Sequence, residues 1–251
     1  MPLPESWLDP MLSVIVTGGS RGLGLAIAKH LVGAGYTVIA IARNRNDQLA
    51  AAMEAAPPGA LHFEPFDLGE IKDIPHLVKN LHKTYGAIHG LVNNAALGTD
   101  GALAMMDNSK IEALIRLNTL SPIILTKYVV RRMMAGGGGR IVNVASIAAF
   151  TGYSGLSVYS ATKSSMIGFT KSLAREVGRL GVNVNAVAPG FMDTEMTQGM
   201  EVERRNQIER RSALKRFPEV SDVAGAVEFL LGEKARNITG TVITVDAGMT
   251  A

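Results

Sequence analysis

Short β-branched runs alternate with longer stretches of helical periodicity along the whole chain. Residues 11–16, 36–42, 61–65, 88–92, 140–145, 182–187 and 241–245 read as strands, and residues 25–32, 47–56, 71–85, 109–135, 158–180 and 221–231 as helices. Strands joined through helices have the length of connection that parallel pairing needs, so the pattern predicts an α/β protein built on a doubly wound parallel sheet. The expected order of its seven strands is 3-2-1-4-5-6-7, with a ligand at the switch between the first and the fourth. No repeat or linker divides residues 11–251, which read as one domain. Residues 1–10 read as a short tail, and the polar, charged stretch 194–217 reads as a lid.

The polar residues of interest follow strand ends. The first strand runs into Thr17-Gly18-Gly19-Ser20-Arg21-Gly22-Leu23-Gly24, and a helix follows. In such a turn, backbone N–H groups and a helix N-terminus cradle a pyrophosphate. The spacing is not G-x-G-x-x-G, but the need for φ freedom and close backbone approach is the same. The second strand ends at Arg43, where an acid would hold a ribose 2′-hydroxyl and an arginine accommodates a 2′-phosphate. Arg43 therefore points to NADPH/NADP over NAD, and Arg21 adds a second cation; each also reads as an ordinary solvated arginine. Asp67-Leu68 follows the third strand, where the acid either meets an adenine amino group or caps a turn. Asn93-Asn94-Ala95-Ala96 ends the fourth strand, and Pro189-Gly190-Phe191-Met192-Asp193-Thr194 follows the sixth. Asn118 interrupts a long helical pattern with a poor helix former, a local violation expected at a functional site.

Ser146 ends the fifth strand, and Tyr159 and Lys163 stand at i and i+4 on the following helix. A phenol titrates near ~10, and holding it near ~7 takes roughly 4 kcal/mol in favour of the phenolate. One cation about 4 Å away at an effective dielectric near 20 supplies about that much. Lys163 is thus expected to lower Tyr159, with Ser146 able to hydrogen-bond the carbonyl that the tyrosine protonates.

Composition narrows the classes. The sequence has no cysteine, so disulfides and thiolate metal sites are excluded, no metal is expected, and a reducing, cytoplasmic setting is the default. A net charge of +3 from scattered lysines and arginines gives no nucleic-acid platform. No uninterrupted apolar run reaches the ~20 residues of a membrane span, so no membrane partner is expected. Acids and prolines in residues 1–10 do not fit a signal peptide.

Taken together, Thr17-Gly18-x-x-x-Gly22-x-Gly24, Asn93-Asn94-Ala95, Asn118, Ser146, Tyr159-x-x-x-Lys163 and Pro189-Gly190 resemble the short-chain dehydrogenase/reductase family, in order and spacing, over essentially the whole chain. Stretches 17–24, 171–177 and 188–196 are most similar to the bacterial β-ketoacyl-acyl-carrier-protein reductases within it. Two departures are Ala96, where the family usually has glycine, and residues 148–155 at the expected substrate mouth. The resemblance implies a Rossmann-like fold and hydride transfer from NADPH to a ketone carbonyl, first of all a 3-oxoacyl thioester as in fatty acid biosynthesis. Tyr159 would donate the proton, Ser146 stabilise the oxygen, Lys163 hold the nicotinamide ribose and lower Tyr159, and Asn118 kink its helix and position a relay water. Cofactor contacts would come from Gly18, Ser20, Arg21, Gly22, Leu23, Gly24, Arg43, Asp67, Leu68, Asn94, Ala95, Tyr159, Lys163, Pro189, Gly190, Met192 and Thr194. An acyl carrier protein would dock at Arg131, Arg132 and Arg175, and the assembly would be a homotetramer formed through two long helices and the last strand. Alternatives are an alcohol, sugar or steroid dehydrogenase of the same family, or an NADP-binding regulatory protein without turnover.

Overall fold

The computed structural model describes residues 12–98, 100–192 and 202–251. Seven strands form one sheet: β1 (Ser13–Thr17), β2 (Thr37–Ala42), β3 (Leu61–Pro65), β4 (Ile88–Asn93), β5 (Gly139–Val144), β6 (Val182–Pro189) and β7 (Val242–Val245). Their order is β3-β2-β1-β4-β5-β6-β7 and every pairing is parallel, as the alternation predicted. The helices are α1 (Gly22–Gly33), α2 (Asp47–Ala55), α3 (Ile74–Tyr85), α4 (Asn108–Ile115), α5 (Ser121–Ala135), α6 (Ser157–Val177), α7 (Val202–Arg211) and α8 (Val220–Leu231).

The strands are apolar on both faces because both faces are covered. Successive residues divide between two cores: Val14, Val16, Val38 and Ala40 pack with α1 and α8, whereas Ile15, Ile39 and Ile41 pack with α3 and α5. All of β1 is buried. The carboxyl ends of β1 and β4 adjoin, since β1 pairs with β2 on one side and β4 on the other. The connections leave these strands in opposite directions, opening a crevice there.

Two differences from the sequence reading have physical causes. Residues 109–135 do not form one regular helix, because a π-helical turn, Arg116–Leu120, separates α4 from α5. The combined run Asn108–Ala135 is long and apolar enough to cross a membrane by length and hydropathy, contrary to the sequence expectation. Leu125, Val129 and Met133 on its inner side are buried against the sheet, as in a core helix. The stretch 194–217, read as a lid, contains α7; Thr194 and the tail at 1–10 lie outside the described residues. After α7 the chain is tied down: Ala213 N–H donates to Gly248 O (3.3 Å), Leu214 N–H donates to Ala247 O (3.1 Å), and Ser212 is fully buried.

Candidate active site

Gly18 takes φ +68°, and its N–H donates to Ile41 O at 2.8 Å, which turns the chain out of β1. A Cβ on Gly24 would lie 2.2 Å from Gly18 O and 2.5 Å from Asn94 Nδ2, so only glycine allows this closeness of helix, loop and β4. Gly22, at φ +52°, faces open space, and the Arg21 side chain does not cap the first turn of α1. The N–H groups of that turn, the Gly22 gap and the α1 dipole suit a diphosphate, so the residues fit a dinucleotide.

The cradle is fastened to β4 by a residue that the sequence reading took only as the loop's first position. Thr17 Oγ1 donates to Val92 O (3.2 Å) and accepts from the N–H groups of Asn94 (2.9 Å) and Ala95 (3.0 Å). Asn94 Nδ2 donates to Thr17 O at 2.9 Å. A threonine ending a β-branched run looks like any strand former, and only the β1–β4 pairing gives it this role.

Arg43 directly follows β2 and is exposed, as is Arg21 beside the cradle; Ser20 and Leu23 are half-buried. Asp67 follows β3, and its Oδ1 accepts from Gly69 N–H at 2.8 Å, which is the turn-forming alternative. Leu68 is buried in the core on the α3 side. Pro189 ends β6, Gly190 N–H donates to Val245 O (2.9 Å), and Met192 is half-buried.

Three predicted catalytic side chains meet past the end of β5. Ser146 Oγ accepts from Ala148 N–H at 3.2 Å, and its hydroxyl is near enough to Tyr159 to favour the phenolate. Lys163 is buried one turn along α6, with Nζ 5.8 Å from the centre of the Tyr159 ring and donating to Val144 O at 2.8 Å. The electrostatics differ from expectation. Burial raises the Tyr159 pKa above the ordinary phenol value, with the Ser146 hydroxyl opposing it, and burial lowers Lys163 to about 8. The ammonium is committed to a backbone carbonyl, so desolvation governs both groups.

Asn118 sits buried in the π turn. Its Oδ1 accepts from Leu97 N–H (2.8 Å), and its Nδ2 donates to Leu97 O (2.9 Å) and Thr162 Oγ1 (3.2 Å). The irregular helix agrees with the expected kink. Both amide donors are spent on protein, so the side chain clamps the loop after β4 to α6. At the mouth, Tyr153 meets Phe191 edge-on at 5.3 Å, and its hydroxyl lies 3.7 Å from Met249 Sδ. Asp246 fixes that C-terminal turn by accepting from Gly248 N–H (2.9 Å), Thr250 N–H (2.9 Å) and Thr250 Oγ1 (2.6 Å).

The expected docking arginines are exposed but are not beside this crevice. Arg131 and Arg132 are near the C-terminal end of α5, and Arg175 is near that of α6. In a parallel sheet those ends lie at the edge where β5 and β6 begin, opposite Tyr159. An open apolar groove of about 380 Å³, lined by Leu103, Ile111, Ile115, Val158 and Ala161 among others, runs along the outer side of α6.

A family model described as short chain dehydrogenase matches residues 13–205. The chain is 38% identical over 235 residues to a human 3-oxoacyl-acyl-carrier-protein reductase, covering 93% of this chain and 96% of that one. It is equally 38% identical to the reductase of that name from Aquifex aeolicus, over 237 residues, 94% of this chain and 96% of the relative. Among solved structures, a gluconate 5-dehydrogenase from Burkholderia cenocepacia, in complex with NADP and tartrate, matches with a TM-score of 0.90 at 27% identity, covering 95% of each chain.

Proposed function

Since the chain belongs to the short-chain dehydrogenase family and is an NAD(P)-dependent oxidoreductase, we propose that it is an NADPH-dependent ketoreductase whose favoured substrate is a 3-oxoacyl thioester. The observation that carries the chemistry is the placement of Ser146 and Tyr159 together beside buried Lys163. A reduced dinucleotide held there would supply the hydride. As charge develops on the carbonyl oxygen, Tyr159 releases its proton to it, and its raised pKa keeps that proton in place at neutral pH. Ser146 uses its oxygen lone pair on Ala148 N–H, which leaves its own O–H to donate to the same carbonyl oxygen. The glycine turn would hold the diphosphate, Arg43 and Arg21 the 2′-phosphate, and Lys163 the nicotinamide ribose.

The name shared by the 38%-identical relatives supports the thioester substrate. A second reading, a sugar-acid dehydrogenase, is favoured by the likeness to gluconate 5-dehydrogenase. Oxidation of NADPH and NADH with acetoacetyl thioester, 5-ketogluconate and small ketones separates the two. We expect NADPH preference with thioester turnover, and a loss of about 10³-fold in kcat for Tyr159→Phe with cofactor Kd nearly unchanged. Turnover of 5-ketogluconate alone moves the protein to the second reading. Full activity of Tyr159→Phe overturns the mechanism.

The outer groove supports assembly with further copies through α4 and α6, as in the expected homotetramer. If α6 pairs antiparallel with its copy, Arg132 and Arg175 come toward the partner's crevice mouth, where an acidic carrier protein would meet them.

A further inference from the structure

Among the described residues, four buried side-chain polar atoms have no hydrogen-bond partner in the protein: Asn93 Oδ1, Ser121 Oγ, Arg140 Nε and Ser160 Oγ. Two of the four, Asn93 Oδ1 and Ser121 Oγ, belong to residues that line one internal cavity between β4 and the start of α5. Asn93 is 5% exposed and Ser121 is 1% exposed. The cavity holds about 10 Å³ of water-accessible space, and Leu68 and Leu125 form part of its apolar wall.

The neighbouring hydrogen bonds fix which Asn93 atom is unpaired. Thr170 Oγ1 donates its one proton to Met166 O at 2.8 Å, so toward Asn143 it accepts, and Asn143 Nδ2 is the donor at 2.8 Å. Asn143 Oδ1 is then an acceptor, and the atom of Asn93 that meets it at 2.8 Å is Nδ2. The second Nδ2 proton goes to Thr126 Oγ1 at 2.9 Å. Asn93 Oδ1 is therefore a buried acceptor in need of a donor. Thr17, which also lines the cavity, has its hydroxyl proton on Val92 O and two N–H groups on its oxygen, so it has little left to offer.

We propose that this cavity is a binding site for one resident water molecule, which donates to Asn93 Oδ1 and bonds Ser121 Oγ. The space matches one water, both partners are neutral, and a dry cavity would leave two polar groups desolvated without compensation. The site ties β4, which leads into the cradle residues Asn94 and Ala95, to the first residue of α5, just past the Asn118 turn.

A high-resolution crystal structure of the wild-type protein tests this directly, joined by thermal unfolding of Ser121→Ala. The expected map has one ordered water within hydrogen-bond distance of both atoms. Ser121→Ala, with one partner of the water gone, is expected to lower Tm by about 2–4 °C. A dry cavity, or direct contact between Asn93 and Ser121 side chains, overturns the proposal, as does an unchanged Tm. If Ser121→Ala does not fold, water-to-amide magnetisation transfer at Ala95 and Leu125 in the wild type decides, and its absence counts against the water.

Discussion

Lys163 is the most costly charge at the site, because its burial penalises the ammonium and lowers its pKa from 10.5 to about 8. Below pH 8 both folded and unfolded chains carry that proton, and the folded state bears the full penalty. Between about 8 and 10.5 the unfolded chain keeps a proton that the folded chain has released, so stability rises with pH across this window. The whole effect is about 3 kcal/mol at about 1.36 kcal/mol per unit. Tyr159 acts in the opposite sense: its folded pKa is raised, so stability falls as pH passes the ordinary phenol value of 10.0. Denaturant unfolding between about pH 7.5 and 9.5 should therefore show a gain in wild type that Lys163→Met lacks. Tyr159, Lys163 and Ser146 were legible in sequence because an i, i+4 pair and a strand-end hydroxyl are local patterns. The direction of the Tyr159 shift was not legible, since it depends on Val144 O taking the ammonium and on enclosure by distant elements.

Among the elements, the strand–turn–helix unit at β1 and α1 was readable because its glycines stand where backbone has to bend and approach. The π turn was not. Inserting a five-residue turn into an apolar 3.6-residue pattern leaves the flanking periodicity intact, and Asn118 alone marks the place. Asn93 and Asn143 were similarly hard to interpret: each is a polar residue in an apolar strand run, and their partners Thr126 and Thr170 lie on two different helices. The tightest contact in the unit gives a sharp test. Gly24→Ala places a methyl 2.2 Å from Gly18 O and must push loop and helix apart, costing about 1–3 kcal/mol and weakening NADPH binding. Gly33→Ala at the exposed end of the same helix meets nothing within 4 Å and should be near neutral. Urea unfolding and cofactor titration of the pair check both expectations.

For the whole molecule, the strand order followed from simple alternation of strand and helix, since parallel neighbours demand crossovers and the first strand becomes central. Side-chain patterning showed that both faces were covered without showing which outer face stays open. The open groove lies along α4 and α6, where Leu103 and Ile115 are exposed at 55% and 48%. Ala161→Glu puts a charge into that apolar surface, away from the Ser146–Tyr159 pair. Light scattering should show a smaller assembly than wild type if copies meet there, with circular dichroism unchanged.

The seam between β1 and β4 also sets an order of events during synthesis. The first three strands are consecutive in the chain and adjacent in the sheet, so they can pair as they leave the ribosome. The cradle is different: the Thr17 bonds to Asn94 and Ala95 span 77 and 78 positions of chain. A nascent chain shorter than this has the glycine turn but not the support that holds it open. Dinucleotide in the surrounding solution therefore favours the folded state only after β4 has arrived.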